Sequence, residues 1–309
     1  MKFKLTNYKK VFFFDFDDNI IWMPNSFIHV FKNNNWQLKE ELVNTKDYGN
    51  FLWEHIQRWD IYTSKDRNDI PKWYNYYIIL NESYIEFRDD NILENQINEI
   101  VELDDNVFLD LLWLSFPSFL EAIINDEDFF IVTARWQSPN VMKEAILKIL
   151  SKFIEIAYRF DNIYLKNNKT FSLEKFKLFL SDKLEKNYSD ISYQDMINYF
   201  DYILSKTNYW FFKVIPSTNV EVLKMFWINQ TANPEKWRII KTILNTILKT
   251  DWINVNYSIG FSDDVLKNIE KVENNIVPFF QEKSKEWYNI SLYLFNIKEN
   301  EEIIKTIHF

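Results

Sequence analysis

The chain contains no cysteine, so a disulfide framework and a thiolate zinc site are both excluded. Glycine is nearly as scarce: Gly49 and Gly260 are the only two in 309 residues. Two glycines cannot build a glycine-rich dinucleotide fingerprint or a Walker-type phosphate loop. The scarcity accompanies an abundance of Asn, Lys, Ile, Phe and Tyr, which reads as coding bias toward AT-rich codons. The three histidines, His29, His55 and His308, are scattered without ligand spacing. An excess of positive charge is also missing, the net charge being −9. That disfavours a whole-surface nucleic-acid footprint and leaves only a local basic groove open. Nor is there a long unbroken apolar run. The most apolar window, "VFLDLLWLSFPSFLEAII" (107 to 124), is interrupted by Asp110, Pro117 and Glu121 and reads as a pair of core helices, not a membrane span. The opening "MKFKLTNYKK" has charges with no long apolar region after it, so no signal peptide is expected. The expectation is a soluble cytoplasmic protein with no membrane partner. Protein partners and oligomeric state are not legible.

Hydrophobic residues make up 47% of the chain and aromatics 18%, enough for a sizeable core in one large domain or a core with an insertion. Short apolar runs of the kind buried on both faces of a sheet occur at "KVFFF" (10 to 14), "DFFIVTAR" (128 to 135), "YWFFKVIPST" (209 to 218), "VNYSIGFSDD" (255 to 264) and "NISLYLFNI" (289 to 297). Helical patterns lie between them. Residues 138 to 160 offer Ser138 as cap and Pro139 at the first helical position. Residues 232 to 249 offer Asn233 and Pro234 in the same places. Strands alternating with helices predict an α/β fold: a mostly parallel sheet with helices on both faces, binding its ligand at the carboxyl ends of the strands. Two stretches exceed that alternation, 25 to 117 and 161 to 207. Both read as mostly helical insertions that could cover the sheet's carboxyl edge. The core is then 1–24 with 118–160 and 208–309.

The chemistry is expected at the strand ends. The first run ends in "DFDDN", which puts Asp15, Asp17 and Asp18 within four positions. Two carboxylates about 4 Å apart repel by roughly 4 kcal/mol at an effective dielectric of 20, so a positive partner is implied. The second run ends in Thr133-Ala134-Arg135, the fourth in Ser262-Asp263-Asp264, and Lys236 stands near the start of the helix between the third and fourth runs. Hard oxygen ligands suit Mg²⁺, and lysine and hydroxyl groups suit phosphoryl oxygens. Taken singly, each motif has an ordinary reading. "DFDD" and "GFSDD" could be caps or solvated turns, a strand-end Thr a turn former, and Lys236 a solvent-facing residue.

In combination the four resemble the haloacid dehalogenase (HAD) superfamily, most of whose members are Mg²⁺-dependent phosphohydrolases on a Rossmann-like core with inserted cap segments. "FFFDFDDN" matches its first motif, "FFIVTAR" the second, Lys236 in "NPEKWRII" the third with Lys241 in reserve, and "IGFSDD" the fourth. The phrases "DFDDNIIWMP", "TAR" and "GFSDD" also look like a subgroup of uncharacterised HAD-like proteins of bacteria and phages. The resemblance covers the core strands and neither insertion. It implies that Asp15 is the nucleophile forming an aspartyl-phosphate, and that Asp17 is the general acid and then base. Mg²⁺ would be held by the Asp15 carboxylate, the Asp17 main-chain carbonyl and Asp263, with Asp264 in support and Asn268 orienting the loop. Thr133 and Lys236 would bind the phosphoryl group. Asn19 stands where many members have Thr, which implies altered loop support.

Arg135 is either a phosphate contact or the partner of a carboxylate. The aromatic residues Trp53, Trp59, Trp73, Tyr74, Tyr76 and Tyr77 are either a helical core or a stacking surface, and Arg88-Asp89-Asp90 either lines the cap's inner face or is a solvated turn. His29 and His55 read as structural. The implied function is phosphomonoester hydrolysis of a small phosphorylated substrate. One alternative is a polynucleotide end-phosphatase of nucleic-acid repair acting on a nucleotide or oligonucleotide end, for which Lys166, Lys169, Lys175 and Lys177 leave room. Another is a phosphate-binding or assembly protein without turnover.

Overall fold

A computed structural model describes residues 8–166, 168–228, 236–250, 255–284, 289–298 and 301–309. The chain divides into two compact units, one of Met1–Trp22 with Ile100–Phe309 and one of Met23–Glu99. The first unit opens with β1 (Tyr8–Phe14), in which Val11, Phe13 and Phe14 are buried.

The second unit holds β2 (Phe27–Asn34), β3 (Gln37–Asn44), α1 (Thr45–Gln57), β4 (Ile61–Ser64), β5 (Tyr76–Ile79), α2 (Leu80–Ser83) and most of α3 (Asp90–Val101). Its four strands form a sheet in the order β3-β2-β5-β4. This corrects the expectation of a mostly helical insertion over 25–117. The segment carries a sheet, and the unit ends near residue 99. The β2–β3 hairpin closes through Asn35 and Trp36, both in the left-handed region (φ 49° and 70°). That is the backbone a two-residue turn needs to match strand twist. Ile28, Val30 and Ile78 pack on one side of the sheet, and Phe31, Tyr77 and Ile79 on the other. The aromatic cluster divides accordingly. Tyr77 is buried, and Tyr74 and Tyr76 pack on these cores, while Trp53, Trp59 and Trp73 are exposed.

The first unit resumes with α4 (Asp105–Leu111), α5 (Phe116–Ile124), β6 (Asp128–Thr133) and α6 (Pro139–Phe160). Ser138 caps α6 by accepting from the Val141 N–H, with Pro139 in the first turn, as expected. The stretch expected as a second helical insertion consists of a small hairpin, β7 (Asn162–Tyr164) and β8 (Thr170–Ser172), followed by α7 (Leu173–Leu184) and α8 (Tyr193–Ser205). It belongs to the first unit, where Phe176 and Phe200 stack and Phe171 meets Phe153 of α6. Then come β9 (Val214–Pro216), α9 (Val220–Met225), α10 (Lys236–Thr250), β10 (Asn256–Asp263), α11 (Leu266–Lys283), β11 (Asn289–Lys298) and β12 (Glu301–His308). The expected caps of α10, Asn233 and Pro234, lie outside the described residues.

Among the described residues the sheet of the first unit has six strands, in the order β12-β11-β10-β1-β6-β9, parallel except for β12 at one edge. Helices flank both faces. Val11 and Phe13 of β1 share a core with Ile239 and Ile243 of α10 and Val272 and Ile276 of α11. Phe14 and Phe129 point the other way and meet Phe119 of α5 edge-on. This alternation on a strand with partners on both sides explains the unbroken apolar run. Gly260 lies opposite Phe12, where an added Cβ would come 3.1 Å from the ring. The third strand is shorter than expected, because Tyr209 and Trp210 adopt positive φ in a turn closed by Asn208 and Phe211. Among the described residues, no helix is long and apolar enough to cross a membrane.

From β1 the chain adds β6 and then β9 on one side, and afterwards β10 and β11 on the other. The reversal falls between β1 and β10, which makes their carboxyl ends the place where such a sheet opens a ligand crevice.

Candidate active site at the sheet's carboxyl edge

Register places the acidic residues. Phe14 pairs with Ser262, and the next rung is the bond from the Asp15 N–H to the Ser262 carbonyl at 3.1 Å. Asp15 therefore ends β1 level with Asp263 at the end of β10. Carboxylate oxygens of Asp15, Asp263 and Asp264 all lie within 4.8 Å of one another. Lys236, at the start of α10, reaches in with its Nζ 2.5 Å from Asp15 Oδ2 and 2.8 Å from Asp263 Oδ2. Asp15, Asp263 and Lys236 are all buried. Lys236 is thus the lysine at the site. Lys241, one turn and more along the helix, lies over the Phe279 ring instead.

Desolvation dominates the electrostatics. Burial pushes the Asp15 carboxyl up to about 7, against the pull of Lys236, with Asp263 and Asp17 adding to the rise. Burial also holds Asp264 well above the usual carboxylate range, helped by Asp263, Asp15 and Asp18. Burial alone would lower Lys236, but Asp15 and Asp263 override it and keep the ammonium above its ordinary value. Three carboxylates face one ammonium. When all are ionised the cluster, buried at Asp15 and Asp263 and half-buried at Asp264, is left with two unbalanced negative charges, and the donors are hard oxygens. That arrangement fits a divalent cation such as Mg²⁺.

Supporting contacts fix each acid. Asp263 Oδ1 accepts from the Val265 N–H at 2.9 Å and from Asn268 Nδ2 at 3.1 Å, so Asn268 does orient this loop. Asp15 Oδ1 accepts from the Phe16 N–H at 2.8 Å. Asp18 turns the chain with φ 51°, a conformation Asp tolerates better than most residues. Asn19 is fully buried and donates from Nδ2 to Ser262 Oγ at 2.8 Å, tying the first loop to β10. Ser115 Oγ meets the same Ser262 hydroxyl, and its N–H donates to the Asn19 carbonyl.

Asp17 stands apart from the three-carboxylate cluster. Its side chain takes the Arg135 guanidinium, with Nε 2.9 Å from both carboxylate oxygens and Nη2 2.6 Å from Oδ1. Of the two readings open for Arg135, the carboxylate pair is present, with the arginine wholly buried. Thr133 is also buried, its Oγ1 accepting from the Arg135 N–H at 3.4 Å. The expected set is thus gathered at one edge, in an inner group of Asp15, Asp263, Asp264 and Lys236 and a neighbouring group of Asp17, Thr133 and Arg135.

Sequence reasoning missed the residues that hold the loop after β6. Ser217 donates to the Thr133 carbonyl and Thr218 to those of Ala134 and Arg135. Asn219 donates to those of Trp136 and Gln137. The signal was present as three consecutive small polar residues following a strand, a composition that bonds backbone groups. Ser115 carried no comparable signal. Comparison with protein-family models, with curated proteins and with solved structures found no match to this chain.

Proposed function

We propose that the protein is a Mg²⁺-dependent phosphatase of HAD-like, Rossmann-like architecture that hydrolyses a phosphomonoester through a phosphoryl group carried on Asp15. The observation that carries the reading is the convergence of Asp15, Asp263 and Asp264 around the buried Lys236 ammonium. A carboxylate at the tip of a central strand, fixed by its own loop, is placed to attack phosphorus and to hold the phosphoryl group until water removes it. Lys236 balances the charge of nucleophile and phosphate, and the Thr133 hydroxyl serves a phosphoryl oxygen. Asp17 exchanges the proton, first with the leaving oxygen and then with water. Asp15, Asp263 and Asp264 are the side chains that would hold Mg²⁺, with the Asp17 main-chain carbonyl as a further ligand. The bound ion supplies Lewis-acid stabilisation of the developing charge and screens nucleophile from phosphate.

The test is turnover of p-nitrophenyl phosphate with Mg²⁺. Activity is expected to need the metal and to fall below detection in Asp15→Asn. Full activity in that variant contradicts the assignment. A second reading takes a polynucleotide end as the substrate. A 3′- or 5′-phosphorylated oligonucleotide compared with nucleotides and sugar phosphates separates the two.

A further inference from the structure

Arg135 is the largest fully buried side chain of the described residues. A space-filling role would be met at lower cost by an apolar residue, because a guanidinium out of water needs a partner. The partner is Asp17, gripped from the edge by Nε and Nη2. The pair is sealed at one end only: the arginine side chain is 0% exposed and the Asp17 side chain 15%. The carboxylate is therefore the working end.

Two further contacts show what the grip is built into. The Arg135 N–H donates to the Thr133 hydroxyl, so one residue fixes both an acid and a phosphate-binding group. Thr218 Oγ1 donates to the Arg135 carbonyl at 2.7 Å, with Ser217 and Asn219 holding the residues on either side. On the facing loop Phe16 is fully buried between Asp15 and Asp17, its ring 5.9 Å from the guanidinium carbon. The loop after β1 and the loop after β6 are thereby fastened together.

We propose that Arg135 is a positioning residue: it holds the Asp17 carboxyl at the one place from which the proton can be exchanged with the ester oxygen and then with water. This rests on the phosphatase reading. In the first step the Asp17 carboxylate, exposed at one edge, takes up a proton from water, an Asp15 oxygen bonds to phosphorus, the phosphorus–ester oxygen bond breaks, and the leaving oxygen takes that proton from Asp17. In the second, water adds to phosphorus, the bond to Asp15 breaks, and Asp17 recovers a proton from the water. Both steps need the carboxyl within hydrogen-bond reach of the exchanging oxygen. A side chain free to turn about two torsions forfeits that advantage.

Leaving-group chemistry provides the test. Nitrophenolate departs with little need of a proton, whereas an alkoxide requires one. In Arg135→Met, turnover of an alkyl phosphate is expected to fall about 10²-fold, while the first-turnover burst with p-nitrophenyl phosphate changes less than about threefold. Arg135→Lys, which keeps a buried cation, restores part of the alkyl phosphate rate. Adding Asp17→Asn to Arg135→Met costs nothing further on that substrate. Should Arg135→Met fail to fold, Arg135→Lys shows the same split between substrates at smaller size. Equal losses on both substrates, or losses that add to those of Asp17→Asn, overturn the positioning role and leave the phosphatase reading intact. A wild-type protein inactive on both substrates overturns the phosphatase reading, and this role with it.

Discussion

Replacing Lys236 by Met removes the ammonium that lies between Asp15 and Asp263 and leaves buried carboxylates to repel one another. Breaking a buried pair from one side costs on the order of 3–5 kcal/mol, measurable by urea denaturation. Addition of Mg²⁺ is expected to restore part of the loss, which a purely packing defect would not allow. A second buried lysine behaves in the opposite sense. Lys213 lies over the Phe129 ring at 4.2 Å, and burial lowers it to about 8, with Asp128 and Asp126 opposing the drop. A lysine depressed in the folded state binds its proton more tightly when unfolded. Its burial therefore penalises the fold below about pH 8, and the penalty is relieved as pH rises from there toward 10.5. The span corresponds to about 3 kcal/mol. Stability measured from pH 7.5 to 10.5 should rise relative to Lys213→Met, in which that gain is absent. Parallel slopes for the two proteins would show that Lys213 is not desolvated in this way.

Among elements, the β2–β3 hairpin shows where the sequence misleads. Its turn residues are Asn35 and Trp36, and Trp36 holds φ 70° in spite of its bulk. A left-handed conformation costs a non-glycine residue roughly 1–2 kcal/mol, so Trp36→Gly is expected to stabilise the second unit by about 1 kcal/mol in thermal melts. A decrease would mean that the indole contributes packing at the turn. The hairpin was illegible because "QLKEELVN" has no fully buried position and no clean apolar alternation, and because its turn lacks the usual glycine. β1, β6, β10 and β11 were legible for the converse reason: helices or neighbouring strands cover them, so they read as continuous apolar runs. α6 announced itself through Ser138 and Pro139. β12 is not among the apolar runs, since "EEIIKTIH" has polar residues at five of its eight positions, and its pairing is supplied by the preceding strand.

For the whole molecule, topology converts separate motifs into a site. Asp15, Thr133, Lys236 and Asp263 are far apart in sequence and each is ambiguous alone. The parallel order puts the reversal between β1 and β10 and so aligns their acidic ends. Those residues could be named from the sequence because their motifs follow one another in order at the ends of apolar runs and at the start of a helix, a combination that no single motif carries. The Asp17–Arg135 pair was open to two readings, and the clamp of Ser217, Thr218 and Asn219 depends on tertiary contacts that no local pattern encodes. A divalent cation that binds the folded cluster should stabilise it by mass action, by about 2.7 kcal/mol at a hundredfold excess over its dissociation constant. Melting temperature is expected to rise with Mg²⁺, to fall back with chelator, and to be insensitive to the metal in Asp263→Asn. A shift of equal size in that variant would place the ion elsewhere. The most direct test of the central claim is acid-quenched peptide mass spectrometry after brief exposure to p-nitrophenyl phosphate and Mg²⁺. Phosphoryl on Asp15 is expected in the wild type and none in Asp15→Asn or with chelator. Turnover that proceeds with no phosphoryl on Asp15, or with phosphoryl on another residue, would contradict it.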